Sequence, residues 1–421
     1  MAISYPPTAD HLLDASEVRE ADPAKGIKSV YLGLDTRLPE VTAERAEEIK
    51  KKFPHFPGIY DQRAVRREYL VRLPRAIEDW ANRHLITDPR DTIMLSTMAN
   101  MFVCSGTLSA MLFRYPSHWF GLMVALSNAL LWTQRFILML HYAEHRPLFH
   151  KSVGFLRYVM PWVMAPFYGI PTGVYRTHHI VMHHKENNVF ERDLSSTEPY
   201  QRDNFLHFVH YWLKFLALVV TLPFFAIKRR RWDALMEVCL GFGVWMMAQA
   251  LLHKGGHGLY ALYQFQVPFL ISSIALMFGN WSQHIFVHPL VAEGKEDKGS
   301  IKYNCALTVN VMNHFDNQVA FNDGYHVVHH IRPRCHWTEM PTDFLENLES
   351  YAEHDPICID RAGFFDLGFN FLIRQKFDPD GAWKWIVDRF VHLTPEKRSF
   401  DEVKALLQER LRPIPNRAGS K

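Results

Sequence analysis

Histidine is the residue in excess. The chain carries 24 in 421 residues, and they are clustered. His141-Tyr-Ala-Glu-His145 sets two imidazoles four residues apart. On a helix that spacing puts both on one face, about one turn apart, able to converge on one metal ion. His178-His179-Ile-Val-Met-His183-His184 contains an HxxxHH counted from His179, and His326-Val-Val-His329-His330 is an HxxHH. Asn280-Trp-Ser-Gln-His284 adds a fourth candidate. A lone histidine is usually a surface or satisfied core residue. Three clusters, two of them closing on adjacent histidines, are read here as a metal site. Their nine imidazoles exceed the four ligands one zinc normally takes, so two ions with four or five nitrogens each fit the count. Imidazole suits Zn, Cu, Fe and Ni, which leaves the metal open at this point.

The elements that must position these residues are apolar and long. Residues 92–113 carry no charge, and residues 119–140 carry only Arg135. Each is long enough to span a bilayer, which takes about 20 apolar residues. The short link 114–118 makes them a hairpin. The segment 155–170 is interrupted by Pro161 and Pro166 and followed by Pro171, so it is expected to be interfacial or re-entrant. Three further apolar stretches follow, at 205–227, 234–252 and 261–280. If the second histidine cluster and His284 share one side, an even number of spans separates them. Residues 234–252 and 261–280 are therefore read as spans. Residues 205–227, broken by Pro223, become a re-entrant or interfacial element. The run Lys228-Arg229-Arg230-Arg231 places the histidine side in the cytosol.

The expected architecture is an all-α integral membrane protein. Four transmembrane helices form two hairpins, joined by interfacial or re-entrant helices, and a cytosolic cap carries the histidine boxes. The organisation reads as a cytosolic N-terminal region (1–90), a membrane domain (91–345) and a cytosolic C-terminal region (346–421). Helical stretches are expected at 42–53 and 64–84. The clusters fall at the ends of the spans, where ionisable residues are costly and usually functional.

Other features exclude alternatives. With 47 Lys+Arg against 44 Asp+Glu, the net charge of +3 argues against a nucleic-acid-binding protein. The five cysteines show no CxxC spacing, so they read as free thiols rather than disulfides or a zinc site. The first 20 residues do not read as a signal peptide, and the C-terminal PIPNRAGSK carries no targeting signal.

The three boxes, in this order and on this span layout, resemble the membrane fatty-acid desaturase family. Asn280 and His284, the run His183-His184-Lys-Glu-Asn-Asn188, and the run Asn322-Asp-Gly-Tyr-His326 are also similar to that family. The resemblance covers about residues 90–345. It implies a non-haem di-iron centre, with His141, His145, His179, His183, His184, His284, His326, His329 and His330 as ligands. Asn280 would join directly or through water. His179 is preferred to His178, because a frame starting at His178 has the wrong spacing. His288 is given an outer or surface role, and His253 and His257 fall on the far side. Metal-bound imidazoles usually donate their second nitrogen to a carboxylate or carbonyl; Glu144, Glu186 and Asp323 lie within the boxes and are candidates.

The resemblance also implies the reaction. Removing hydrogen from an unactivated methylene needs an oxidant, here iron with O₂. A lipid acyl chain would be the substrate, held in an apolar tunnel. Phe120, Trp132, Met246, Met247 and Phe278 are candidate lining residues, although most such side chains face lipid or pack helices. No haem-binding HPGG, ferredoxin cysteine cluster or GxGxxG is found, so a separate cytochrome b5 or ferredoxin is the expected electron donor. The membrane would be the endoplasmic reticulum in a eukaryote or the inner membrane in a bacterium. On the same scaffold the rivals are an acyl hydroxylase and a fatty-acid decarboxylase. A zinc peptidase, suggested by HxxEH at His141–His145, or a metal transporter is more remote.

Overall fold

In a computed structural model, residues 43–59, 73–190, 192–293 and 297–414 are described, with a short backbone pairing of Val30–Tyr31 and Glu68–Tyr69. The expected N-terminal helices are present at Ala43–Lys52 and Arg75–His84, while residues 64–72 of the second lie outside the described helix.

Among the described residues, four helices are long and apolar enough to cross a membrane: α1 (Pro89–Arg114), α2 (His118–His145), α6 (Trp232–Lys254) and α7 (Gly258–Gln283). Between the two hairpins lie α3 (174–186), α4 (Phe205–Leu216) and α5 (Leu218–Lys228). The α4/α5 pair is bent by 70°. Asn204 caps α4 by accepting from the amides of Leu206 and His207; the break falls at Ala217 and not at Pro223, which lies inside α5. Ser117 caps α2 after the short link from α1, accepting from the amide of Phe120.

The bent pair would make a fifth span if it crossed as one. The rings of His183 and His284 lie 5.3 Å apart, so the chain leaves and returns to one side between them. With α6 and α7 as the spans between them, the bent α4/α5 pair stays on the histidine side, and the hairpin turns 114–118 and 254–258 lie at the opposite ends of the four helices.

Beyond α7, helix α8 (Ile301–Leu307) leads into β1 (Val309–Met312), which pairs in parallel with β2 (Ile357–Asp360). Helix α9 (His326–Ile331) lies between them in sequence and carries the third box. The chain continues through α10 (Phe364–Phe369), α11 (Pro379–Val387) and α12 (Phe400–Arg410). A capping box of Ser399 and Glu402 starts α12. One core joins the spans to this cap, from Met101 and Phe136 through Trp281 and Phe286 to Phe344 and Leu407.

Close backbone approach fixes how α6 meets the loop before α3. A Cβ at Gly241 would overlap the carbonyl of Thr172, so only glycine permits this contact.

Candidate metal centre

Each box is carried by a different backbone geometry. In α2 the turn around His141 and His145 is regular α-helix, and a four-residue spacing brings both rings to one place. The second box is carried on a π-helix, Thr177–His183. A wider turn aligns residues five apart, so His179 Nε2 meets His184 Nε2 at 3.0 Å. Asn187 and Asn188, with φ of 49° and 58°, then turn the chain sharply out of α3. Asparagine tolerates this left-handed region better than most residues.

The imidazoles form two groups. His141, His145, His179, His184 and His329 offer nitrogens all within 4.8 Å of one another, and so do His183, His284 and His330. His326 flanks the second group, its ring 5.3 Å from that of His284 and 4.7 Å from that of His330. Adjacent residues therefore divide: His184 and His329 enter the first group, His183 and His330 the second. This explains why two of the boxes end in paired histidines. Each pair straddles two sites.

The donor set fits a cation. In the first group the Nε2 atoms run in series, His141–His329 at 2.8 Å, His329–His184 at 3.1 Å, His184–His179 at 3.0 Å and His179–His145 at 3.2 Å. A ring nitrogen has one lone pair or one hydrogen, so His329, His184 and His179 cannot each satisfy two neighbours by hydrogen bonding. In the second group, Nε2 of His284, His326 and His330 is buried with no hydrogen-bond partner. Burial holds His184, His284, His329 and His330 well below the ordinary imidazole range, in the neutral form that ligates.

The opposite nitrogens are held in turn. His183 Nδ1 lies 2.7 Å from Asp193 Oδ2, and His284 Nδ1 lies 3.2 Å from the Leu307 carbonyl. Each contact leaves Nε2 for a metal. Asp323 Oδ1 sits between the groups, 3.6 Å from His141 Nδ1 and 3.7 Å from His326 Nδ1. Burial alone would raise its carboxyl, but His141, His326 and Gln283 outweigh burial and hold it at about 2. Burial likewise works against Asp193, yet His183 and Ser195 hold it below the usual carboxylate range. Asn280 spends its amide hydrogens on the Ser195 carbonyl (3.1 Å) and the Tyr211 hydroxyl (2.7 Å), which leaves Oδ1 to face a ligand.

His178 belongs to neither group. Its ring packs edge-on against Phe215 and lines a small apolar cavity of about 30 Å³. Ile170, Tyr175, Leu218, Phe242 and Leu276 share that wall, and Tyr175 stacks on His179. None of Phe120, Trp132, Met246, Met247 and Phe278 lines the cavity. Met246 and Met247 point outward instead, and Trp132 is buried.

Two carboxylates within the boxes lie elsewhere. Glu186 pairs with Arg229 at 2.9 Å, and Glu144 faces the charges of Arg157, Arg176 and Glu237. His257 stacks on Phe113 at the far-side turn. His288 Nδ1 accepts from the Leu290 amide, and His336 Nε2 lies 3.0 Å from Asp91 at the start of α1.

The sequence reading missed the loop that holds two of these ligands. Asp193 fixes His183, while the Thr197 hydroxyl donates to the His284 carbonyl at 2.9 Å. Arg202, fully buried, donates to the carbonyls of Ile285, Thr197, Glu198, Tyr200, Arg410 and Arg412. Nothing in box spacing marks Asp193, which lies nine residues beyond His184.

The family model described as fatty acid desaturase matches residues 117–362, more than half of the chain. The chain belongs to the fatty acid desaturase family. Every histidine of both groups lies inside the matched region, as do Asp193, Arg202 and Asp323. The family consists of membrane oxidoreductases acting on lipid acyl chains, in keeping with the four apolar helices and the histidine groups. No curated protein and no solved structure matches the chain.

Proposed function

We propose that the protein introduces a double bond into a lipid acyl chain, using O₂ and two irons held by its histidines. The observation that carries this is the pair of nitrogen groups sharing adjacent residues, His183 with His184 and His329 with His330. In this reading His141, His145, His179, His184 and His329 hold one iron. His183, His284, His326 and His330, with Asn280, hold the other. When bound, the irons supply the O₂-dependent oxidation that removes hydrogen from the chain.

The protein's own residues do the rest. Asp193 and the Leu307 carbonyl fix the rings of His183 and His284, so Nε2 faces inward. Asp323 steadies His141 and His326 from between the groups. The cavity bounded by Tyr175, Phe215, Leu218 and Phe242 is apolar and adjoins His179 through Tyr175. Its apolar wall would guide part of the acyl chain past His179 and choose which carbon faces the metals. Electrons would come from a separate donor of the cytochrome b5 or ferredoxin type, docking on the cytosolic side. The test is turnover of the reconstituted protein with a reductant, O₂ and labelled acyl lipids, read by mass spectrometry. Loss of two hydrogens supports desaturation. Gain of oxygen would indicate a hydroxylase, and loss of the carboxyl carbon a decarboxylase.

A further inference from the structure

The C-terminal region beyond the family match packs against the end of a candidate span. On α7, Leu270, Ile274 and Phe278 recur every four residues and form one stripe. Leu270 and Ile274 are exposed, as a lipid-facing stripe should be. At Phe278 that stripe is covered by α10: the ring of Phe365 stacks on Phe278 at 5.8 Å. The approach is close, because a Cβ at Gly368 would meet Ser282 and Phe278. On its other side Phe278 meets Phe208 of α4, edge-on at 5.5 Å. Phe278 is five residues from the end of α7, about 7.5 Å at the helical rise. With α7 read as a span, this puts α10 and α4 at the level of its end, in the boundary layer of the bilayer.

From that layer large apolar side chains project with nothing over them. Phe369, four residues after Phe365 and on the same face, is 54% exposed, and Phe377 is 84% exposed. Leu206 at the start of α4 is 71% exposed, and beside it Lys376 places its ammonium 4.8 Å over the ring of Phe205. Chain segments from α4 and from 364–377 thus share one apolar rim, continuous with the stripe on α7. Residues 364–377 hold two basic side chains against one acidic, and Asp378 and Asp380 follow at once, so attraction to anionic headgroups does not explain the rim. Scattered exposed apolar residues are ordinary, but a contiguous rim beside spans marks an interaction surface.

We propose that Phe369, Phe377 and Leu206 insert into the acyl–headgroup boundary, making residues 364–377 an in-plane lipid anchor of the C-terminal region. The partner is the bilayer itself, engaged by burial of apolar area. This inference depends on the membrane topology and not on the reaction proposed above.

The test uses the full chain reconstituted in phosphatidylcholine vesicles. Phe377→Cys, or separately Leu206→Cys, is made in a Cys239→Ser background and carries a fluorophore, with the unsubstituted background subtracted. Lipids with a nitroxide high on the acyl chain should quench more than half of the signal. Aqueous iodide should quench several-fold less, and 20% phosphatidylglycerol should leave both values unchanged. Efficient quenching by iodide with none by the nitroxide lipids, at both positions, would overturn the anchor. Because both side chains are exposed within the protein, neither substitution removes an internal contact.

Discussion

Asp193 Oδ2 lies 2.7 Å from Nδ1 of His183, and the same carboxylate accepts from the amides of Asn188 (3.1 Å) and Ser195 (2.8 Å). The residue that orients a ring of the second group is therefore itself locked by the turn that ends α3. Replacing it by Asn keeps the size but removes the charge. Asp193→Asn is expected to lower metal affinity or turnover about 10- to 100-fold. Metal analysis and turnover of the purified variant check this; unchanged values in both would remove Asp193 from the account.

His183 and His184 are neighbours that serve different groups. His184→Ala should weaken the five-histidine site and spare the other, while His183→Ala should do the reverse. Both should abolish turnover, since the reaction requires both ions. Iron-57 spectra of the two variants would then show different residual species. Identical spectra would mean that the pair does not divide.

His178 carries the opposite expectation. It faces the apolar cavity and not the metals. His178→Ala should leave iron per chain unchanged and alter KM or the position of the double bond. Loss of iron in this variant, with the fold intact, would make His178 a ligand.

Arg202 ties the loop after α3 to the end of α7 and to the end of α12 through six carbonyls. Charge-assisted bonds of this kind contribute about 1.5–3 kcal/mol each, and a buried carbonyl left unpaired is costly. Arg202→Met should therefore destabilise by about 3 kcal/mol or more, with iron lost as the protein warms. Thermal unfolding followed alongside iron release is the measurement; unchanged stability would contradict the clamp.

Much of this arrangement was legible from residue type and spacing. The four spans could be read from uncharged length, and the parity argument set aside 205–227 as a crossing segment, in line with the 70° bend at α4/α5. Box spacing together with the family resemblance singled out the eight histidines that the structure brings into two groups. It did not reveal how adjacent histidines divide between two groups. That division depends on the π-helical turn of Thr177–His183, a backbone choice without a sequence signature. Nor did it reveal Asp193 and Arg202. Their partners, His183 and the carbonyls near Ile285 and Arg410, are set by tertiary folding rather than by a local repeat. Glu186 shows the converse: nearness in sequence put it in a box, and its side chain pairs with Arg229.

The central claim is that the two nitrogen groups hold two irons. Metal analysis of the full-length protein purified from its membrane, combined with iron-57 Mössbauer spectroscopy, tests it most directly. The account predicts two irons per chain in nitrogen-rich sites, with the iron of the His183, His284 and His330 site depleted and turnover lost in His330→Ala. One metal per chain, zinc in place of iron, or full iron and activity in His330→Ala would contradict it.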